Sequence, residues 1–239
     1  MSSKQPVGVI GAMNSELSSL IAALKGREDR TLHGLVFYTG TLEDSPVVLV
    51  KCGVGKVNAA RTAQVLIDAF APRALINTGI AGGVAPGLSV GDAVVADGLV
   101  QHDFDVTAFG HAKGYLCTGG DSSKPTVFVP EQKVQDSLFQ AACALLGEGH
   151  VHRGTVATGD QFISGRESKA AIWEQFHASA AEMEGGAIAQ AAALSGVPFG
   201  VIRVISDLAD GTAPSSFDQF EQETADRSAA IVKRTLALL

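Results

Sequence analysis

The chain has 239 residues, 46% of them hydrophobic, with a net charge of −7 and only 18 lysines and arginines. That length allows one large α/β domain or two small ones, and so few, scattered cations argue against nucleic acid or an anionic membrane as the main partner. Three cysteines without CxxC spacing (Cys52, Cys117 and Cys143) suggest a reducing compartment, with neither a disulfide framework nor a zinc site.

The opening stretch MSSKQPVGVIGAM has too short an apolar run for a signal peptide, and no segment approaches the roughly 20 apolar residues a membrane span needs. A soluble, cytoplasmic protein is expected. Val7 to Ile10 reads as a short strand, and Gly11 to Glu16 turns into a helix carrying Leu17, Leu20, Ile21 and Leu24 at amphipathic spacing. Asn14 or Ser15 could cap that helix, and Glu16 in its first turn suits the positive end of the dipole. Leu35 to Leu42 and Val47 to Val50 read as neighbouring strands joined by the polar turn Glu43 to Pro46.

Cys52-Gly53-Val54-Gly55-Lys56 follows, before a helix from Val57 to Phe70. It is not a dinucleotide fingerprint, since the third glycine would fall at Asn58, and not a Walker loop, whose first glycine would fall at Val50. A tight strand-to-helix turn is the remaining reading. Ala74 to Asn77 reads as a strand ending in a glycine-rich turn, Thr78 to Gly83. There the backbone N–H groups of Ile80, Ala81 and Gly82 can come close to a ligand.

Leu88 to Asp92 leads into a strand from Ala93 to Ala96. The long segment from His102 to Pro125 reads as a functional loop. Its HDFD run, His102 to Asp105, is weak as a metal set, and hydrogen bonding within the loop is the favoured reading. A helix over Glu131 to Leu146 and a strand over Gly154 to Thr158 precede the turn Gly159 to Gly165. Ser168 to Phe176 is a helix in which Trp173 packs, and Ala178 to Met183 is a short strand leading to Glu184.

After a helix of small residues, Val197-Pro198 introduces the apolar strand Phe199 to Ile205, which stops at Ser206-Asp207. Arg203 interrupts that strand, and a buried charge needs a partner or a ligand. Phe217 to Leu238 closes the chain as a helix. Strands alternating with helices predict an α/β fold in one domain, residues 1–239, with a mixed, mostly parallel sheet flanked by helices.

In such sheets ligands bind beyond the carboxyl ends of the strands. Glu16, Glu184 and Asp207 would then line one cleft, with apolar Met13, Phe162, Ile163 and Met183 between them. Carboxylates in an apolar cleft fit acid/base cleavage of a glycosidic bond, one protonating the leaving group and another activating water. No nucleophile elbow and no HExxH motif is present. As bland alternatives, Asp207 caps the next turn and Arg203 pairs with a nearby acid.

GAMxxE after the first strand, NTG-x-AGG, HD-x-DVTAFG, GD-x-FI, EMEG and R-x-ISD together resemble the 5′-methylthioadenosine/S-adenosylhomocysteine nucleosidases of the purine nucleoside phosphorylase superfamily. The resemblance runs from about Val7 to the C-terminal helix. It implies a nucleoside phosphorylase-like three-layer α/β/α fold, no cofactor or metal, and hydrolysis of 5′-substituted adenosines. It assigns Asp207 as the acid at adenine N7, oriented by Ser206, and Glu16 as the base for water, with Arg203 helping to hold that water. Glu184 would bind the ribose hydroxyls, with Met183 against the sugar. Phe162 and Ile163 would form the purine pocket, and Val106, Phe109 and Phe217 the 5′-alkylthio pocket. The loop carrying Val106 and Phe109 crosses a homodimer interface in that family.

On physical grounds Asp207 needs burial to hold its proton, whereas Glu184, preceding a helix, is expected to be ionised. Ile80 departs from the serine frequent at its position, and the segment after Phe109 does not match the family's pattern. Two competing readings are a phosphate-dependent phosphorylase, disfavoured by the uncharged GAMNS before Glu16, and a non-catalytic nucleoside-binding protein.

Overall fold

The computed structural model describes residues 5–210 and 213–239, the side chains of 213–216 excepted. The first four residues of the N-terminal stretch discussed above lie outside that range. The strands are β1 (Val7–Gly11), β2 (Lys25–Leu32), β3 (Leu35–Leu42), β4 (Ser45–Lys51), β5 (Ala74–Gly83), β6 (Ala93–Gln101), β7 (Val151–Thr158), β8 (Ala178–Glu182) and β9 (Phe199–Asp207). The helices are α1 (Asn14–Ala22), α2 (Lys56–Phe70), α3 (Gln132–Leu146), α4 (Arg166–Phe176), α5 (Gly185–Leu194) and α6 (Ala213–Leu236).

All nine strands join one mixed sheet in the order β2-β3-β4-β1-β5-β8-β7-β6-β9, and β9 also pairs with β5. The sheet therefore closes on itself at one end, where the sequence suggested an open edge. β5, β8, β7, β6 and β9 form a ring, and β1, β4 and the β2–β3 hairpin extend from it. Period-2 alternation builds both faces of the extension and of β9. Ile10, Val48, Val50, Leu75 and Val201 face the core under α2 and α5. Val9, Val47, Leu49, Ile76 and Ile202 face the core under α1, α3 and α6. Every residue of β9 is buried, and each of its full-size aliphatic side chains contributes about 1.5–3 kcal/mol by leaving water.

β6 was expected to end at Ala96 and runs on to Gln101 beside β7, and two further elements differ from the sequence reading. β2 was not expected, because KGREDRTL is polar and almost wholly exposed. It forms because β3 offers it a free edge to pair with, and charged side chains suit such an outer strand. β5 was expected to end at Asn77, but the glycine-rich stretch Thr78–Gly83 continues as strand. Its register explains why. β9 runs along one side of β5 from Leu75 to Gly82. On the other side β1 pairs only as far as Asn77, and β8 begins at Gly82. Residues 78–81 thus face a gap between two neighbouring strands, and the candidate residues gather around that gap.

Candidate active site

Glu16 enters the gap from the first turn of α1, just beyond β1. Its Oε2 accepts the N–H groups of Ala12 (2.6 Å) and Met13 (3.0 Å), and its Oε1 accepts that of Ile80 in β5 (3.2 Å). The N-cap of α1 is Met13 and makes no side-chain cap bond. Neither Asn14 nor Ser15 caps the helix, then; the Ser15 hydroxyl instead donates to Glu221 (2.7 Å). Glu16 does close the N-terminal turn, as the capping alternative had it, and it also lines the cavity. Burial raises its pKa, while the Arg203 charge and three backbone donors oppose that rise. Gly79 is required here, since a Cβ on it would stand 2.5 Å from Glu16 Oε1 and 3.2 Å from Arg203 Nη1.

Arg203, 1% exposed, projects from β9 beneath this carboxylate. Its partners are Glu182 and the Asn77 side-chain oxygen, plus the Ile202 carbonyl (3.2 Å). Among the described residues its Nε is one of four buried polar side-chain atoms without a hydrogen-bond partner. Arg203 therefore has the acid that its place in a buried strand demanded, and it does not itself line the cavity. Glu182, overlooked in the sequence, is that acid. It also accepts from the Thr158 hydroxyl and from the backbone N–H groups of Glu184 (3.1 Å) and Gly185 (2.7 Å). The signal was present in AEMEG, whose two glutamates flank one methionine, but alternation in a strand hides the first behind the second.

Glu184 corrects an expectation. It is the N-cap of α5 but makes no side-chain cap bond, because Glu182 has taken the N–H groups at that helix start. The Glu184 carboxylate turns away and accepts the Gly55 N–H (2.8 Å). Burial, followed by the adjacent Glu182 charge, pushes its pKa up to about 8. The helix dipole does not hold it ionised in the unliganded protein. Asp207 behaves as expected: burial raises its pKa, against hydrogen bonds from the Ala209 N–H (3.0 Å) and the Ser206 hydroxyl (3.0 Å). That hydroxyl also lies 3.3 Å from the Ala81 carbonyl, so its single proton is divided between two acceptors. Asp207 does receive the N–H two residues on, which satisfies the turn-capping alternative without removing the carboxyl from the cavity.

These groups surround a cavity of 230 Å³. Of the residues expected there, Met13, Glu16, Ile80, Ala81, Gly82, Phe162, Met183, Glu184, Ser206, Asp207 and Phe217 line it. Phe162 and Phe217 meet edge-to-face at its mouth, ring centroids 5.8 Å apart. Val54, Ala12, Ala181 and Glu182 also line it, unanticipated. Val54 belongs to the Gly-Val-Gly turn, which is the tight strand-to-helix turn expected, with Gly53 and Gly55 both at positive φ. Ile163 is buried beside the cavity in an apolar cluster with Val100, Ile172 and Phe176. Val106 and Phe109 are not brought to the cavity, and Phe109 is 80% exposed. In the HDFD run, Asp105 bonds within its loop to Thr107, but Asp103 reaches out to Lys56. Every charged residue lining the cavity is an acid.

Residues 6–237 match the family model described as the phosphorylase superfamily. A 5′-methylthioadenosine/S-adenosylhomocysteine nucleosidase of Anoxybacillus flavithermus is 40% identical over 231 residues, 95% of this chain and 96% of that one. Among solved structures, the Neisseria meningitidis nucleosidase of the same name, in complex with methylthio-immucillin-A, superposes with a TM-score of 0.92. It is 36% identical, with 98% of this chain and all of that one covered. A futalosine hydrolase of Helicobacter pylori superposes with a TM-score of 0.91 at 31% identity, with 98% of each chain covered.

Proposed function

This chain belongs to the phosphorylase superfamily and, within it, to the 5′-methylthioadenosine/S-adenosylhomocysteine nucleosidases, and on that premise we propose how its residues divide the reaction. The reaction is hydrolysis of the N-glycosidic bond of 5′-methylthioadenosine and S-adenosylhomocysteine, with release of adenine. The observation that carries the assignment of roles is the set of buried carboxyl groups from the first turn of α1, the start of α5 and the end of β9 around one small cavity.

Adenine is a poor leaving group as an anion, so the bond breaks when N7 is protonated. Asp207 is suited to that step because burial at the end of β9 raises its hold on a proton, and Ser206 orients it. Glu16 takes the proton of the attacking water. The nearby Arg203 charge and three backbone donors favour its ionised form, while burial makes it a stronger base than a surface glutamate. Glu184 accepts the ribose hydroxyl protons. It must lose its own proton to do so, and two hydroxyl donors together with positive charge developing on the sugar favour that loss. Met183 packs against the sugar. Phe162 stacks on the purine, Ile163 meets its edge through the backbone, and Phe217 covers the 5′ substituent.

Phosphorolysis fits this site poorly. No lysine or arginine lines the cavity, and Arg203 is engaged by Glu182 below it. A phosphate would meet only carboxyl groups and backbone. Ile80 removes a side-chain hydroxyl but keeps the N–H that holds Glu16, so the base stays in place. Residues 1–239 act as one domain, supported by the single continuous sheet. Exposed Phe109, with Val106, completes the 5′-alkylthio pocket of a second copy in a homodimer, consistent with the exposure of Val54 and Val57. The net charge of −7, with 18 lysines and arginines, fits a cytoplasmic enzyme that does not engage nucleic acid.

The deciding assay follows adenine release from methylthioadenosine in phosphate-free buffer. Turnover is expected without phosphate; turnover only after phosphate is added, with a ribose 1-phosphate product, overturns hydrolysis. A panel including adenosylhomocysteine, 5′-deoxyadenosine and 6-amino-6-deoxyfutalosine defines the tolerated 5′ groups, and sedimentation of the same sample reads the oligomeric state.

A further inference from the structure

The turn Gly53–Lys56 delivers the only backbone donor that the described structure places on Glu184. The Asn58 side chain donates to the Val54 carbonyl (2.7 Å) and the Gly53 N–H to the Ala12 carbonyl (3.2 Å), but neither bond reaches Gly55. Gly55 is the N-cap of α2, at φ +100°, and has no side chain with which to close the helix. The closure comes from elsewhere. Asp160, in the loop after β7, accepts the Lys56 N–H at 2.8 Å across 104 residues of sequence. A Cβ on Gly55 would lie 3.1 Å from the same Asp160 oxygen, so the two loops are in close approach. The Lys56 ammonium pairs with Asp103 at 2.6 Å, both side chains less than one-fifth exposed. Asp103 in turn accepts the Asp160 N–H at 2.9 Å. The three residues thus form a closed circuit joining the loops after β4, β6 and β7.

We propose that Lys56, Asp103 and Asp160 are positioning residues whose circuit clamps the Gly53–Lys56 turn so that the Gly55 N–H stays on the Glu184 carboxylate. The assignment rests on the reading of Glu184 as the ribose-binding group. None of the three lines the cavity, so their effect reaches the substrate through Glu184, through Val54 in the clamped turn and through the loop carrying Phe162. The Lys56–Asp103 pair, charge-assisted and partly buried, is among the stronger polar contacts a protein makes, while the two bonds to Asp160 are exposed. Without Asp160, the first turn of α2 loses its cap and the Gly55 N–H is no longer aimed.

Asp160→Ala should lower kcat/KM for methylthioadenosine by about tenfold, the effect of one lost hydrogen bond to a charged group. Asp160→Asn, whose amide oxygen can still accept the Lys56 N–H, should recover most of that loss. In a Glu184→Ala background, where the Gly55 N–H has no side-chain acceptor left to meet, Asp160→Ala should change kcat/KM by less than about twofold, because the two residues act through one contact. Lys56→Met, which leaves the backbone cap in place, should repeat the pattern if Asp160→Ala melts too low to assay. Equal losses in both backgrounds, no loss in the wild-type background, or an Asn variant as impaired as the Ala variant would each overturn the clamp. A readout free of turnover separates this from failure of the functional reading. With Glu182, Arg203 and Glu16 unchanged around it, the Glu184 carboxyl carbon-13 resonance should titrate at higher pH in Asp160→Ala than in wild type, since a donor to the ionised form is lost. An unchanged titration overturns the clamp even in a protein that cleaves none of the panel.

Discussion

The floor of the cavity and its wall treat two glutamates in opposite ways. Glu182 and Glu184 stand two residues apart, each 7% exposed. On the floor, Glu182 is held below its usual range, because the Arg203 charge, the Thr158 hydroxyl and the start of α5 outweigh its burial. On the wall, Glu184 has one backbone donor and a charged neighbour of its own sign, and is pushed up to about 8. Burial alone therefore does not decide the state of a carboxyl group; the partners it retains do. The floor is a settled ion pair that fixes architecture. Among the described residues none of the wall groups Glu16, Glu184 and Asp207 has an ion pair, and burial raises the pKa of each, which leaves them available to a substrate.

The largest effect should come from the wall. Asp207→Asn keeps the shape and a hydrogen-bond donor but has no acidic proton. It should lose turnover by roughly 10²–10⁴-fold while binding substrate nearly normally. Melting, calorimetric affinity and adenine release measured on one sample check this. Near-wild-type turnover in a folded variant would place Asp207 among the caps.

A floor substitution should instead be felt as lost stability. Arg203→Met leaves Glu182 buried without its cation, a situation that costs about 3–5 kcal/mol. Urea unfolding of the variant beside wild type measures it, and a cost below about 1 kcal/mol would mean that Glu182 has other sufficient support.

The pH dependence of stability sharpens the contrast further. Glu184 has a folded pKa raised from 4.5 to about 8, so its stabilising contribution is complete below pH 4.5 and is lost as pH rises through about 8. The difference in Tm between wild type and Glu184→Gln should therefore move against wild type across that window and level off above it. A difference that stays flat from pH 4.5 to 9 would show that Glu184 is not perturbed. The smallest effect belongs to Ser206→Ala. It removes one donor to Asp207, worth about 0.5–1.5 kcal/mol, and should change kcat/KM by a few-fold. A loss as large as that of Asp207→Asn would assign Ser206 a role beyond orientation.

Periodicity and punctuation carried much of the fold. The alternation of Val, Ile and Leu in β1, β4 and β9, the i, i+3, i+4 spacing in α1 and the abrupt stop at Ser206-Asp207 are local signals, and each marks an element that is present. The misread stretches owe their structure to neighbours. KGREDRTL becomes a strand only because β3 is beside it, and Thr78–Gly83 stays extended only because β9 continues along it. Val54 stands in a turn whose Gly55 meets Glu184 across 129 residues of sequence, and Glu182 finds Thr158 and Arg203 on two other strands, which no local pattern announces.

The sequence by itself determined which acids are present, that β1 and β9 end in polar groups, and that a buried arginine required a partner. Those are properties of residue type and spacing along one segment. Tertiary structure alone decided which acid takes the arginine, which acid receives the start of α5, and therefore which carboxyl groups hold protons. Protonation depends on the charges and donors within a few ångströms; Asp207 takes its donors from Ser206 and Ala209 beside it, but Arg203, Thr158 and Gly55 reach Glu182 and Glu184 from other elements.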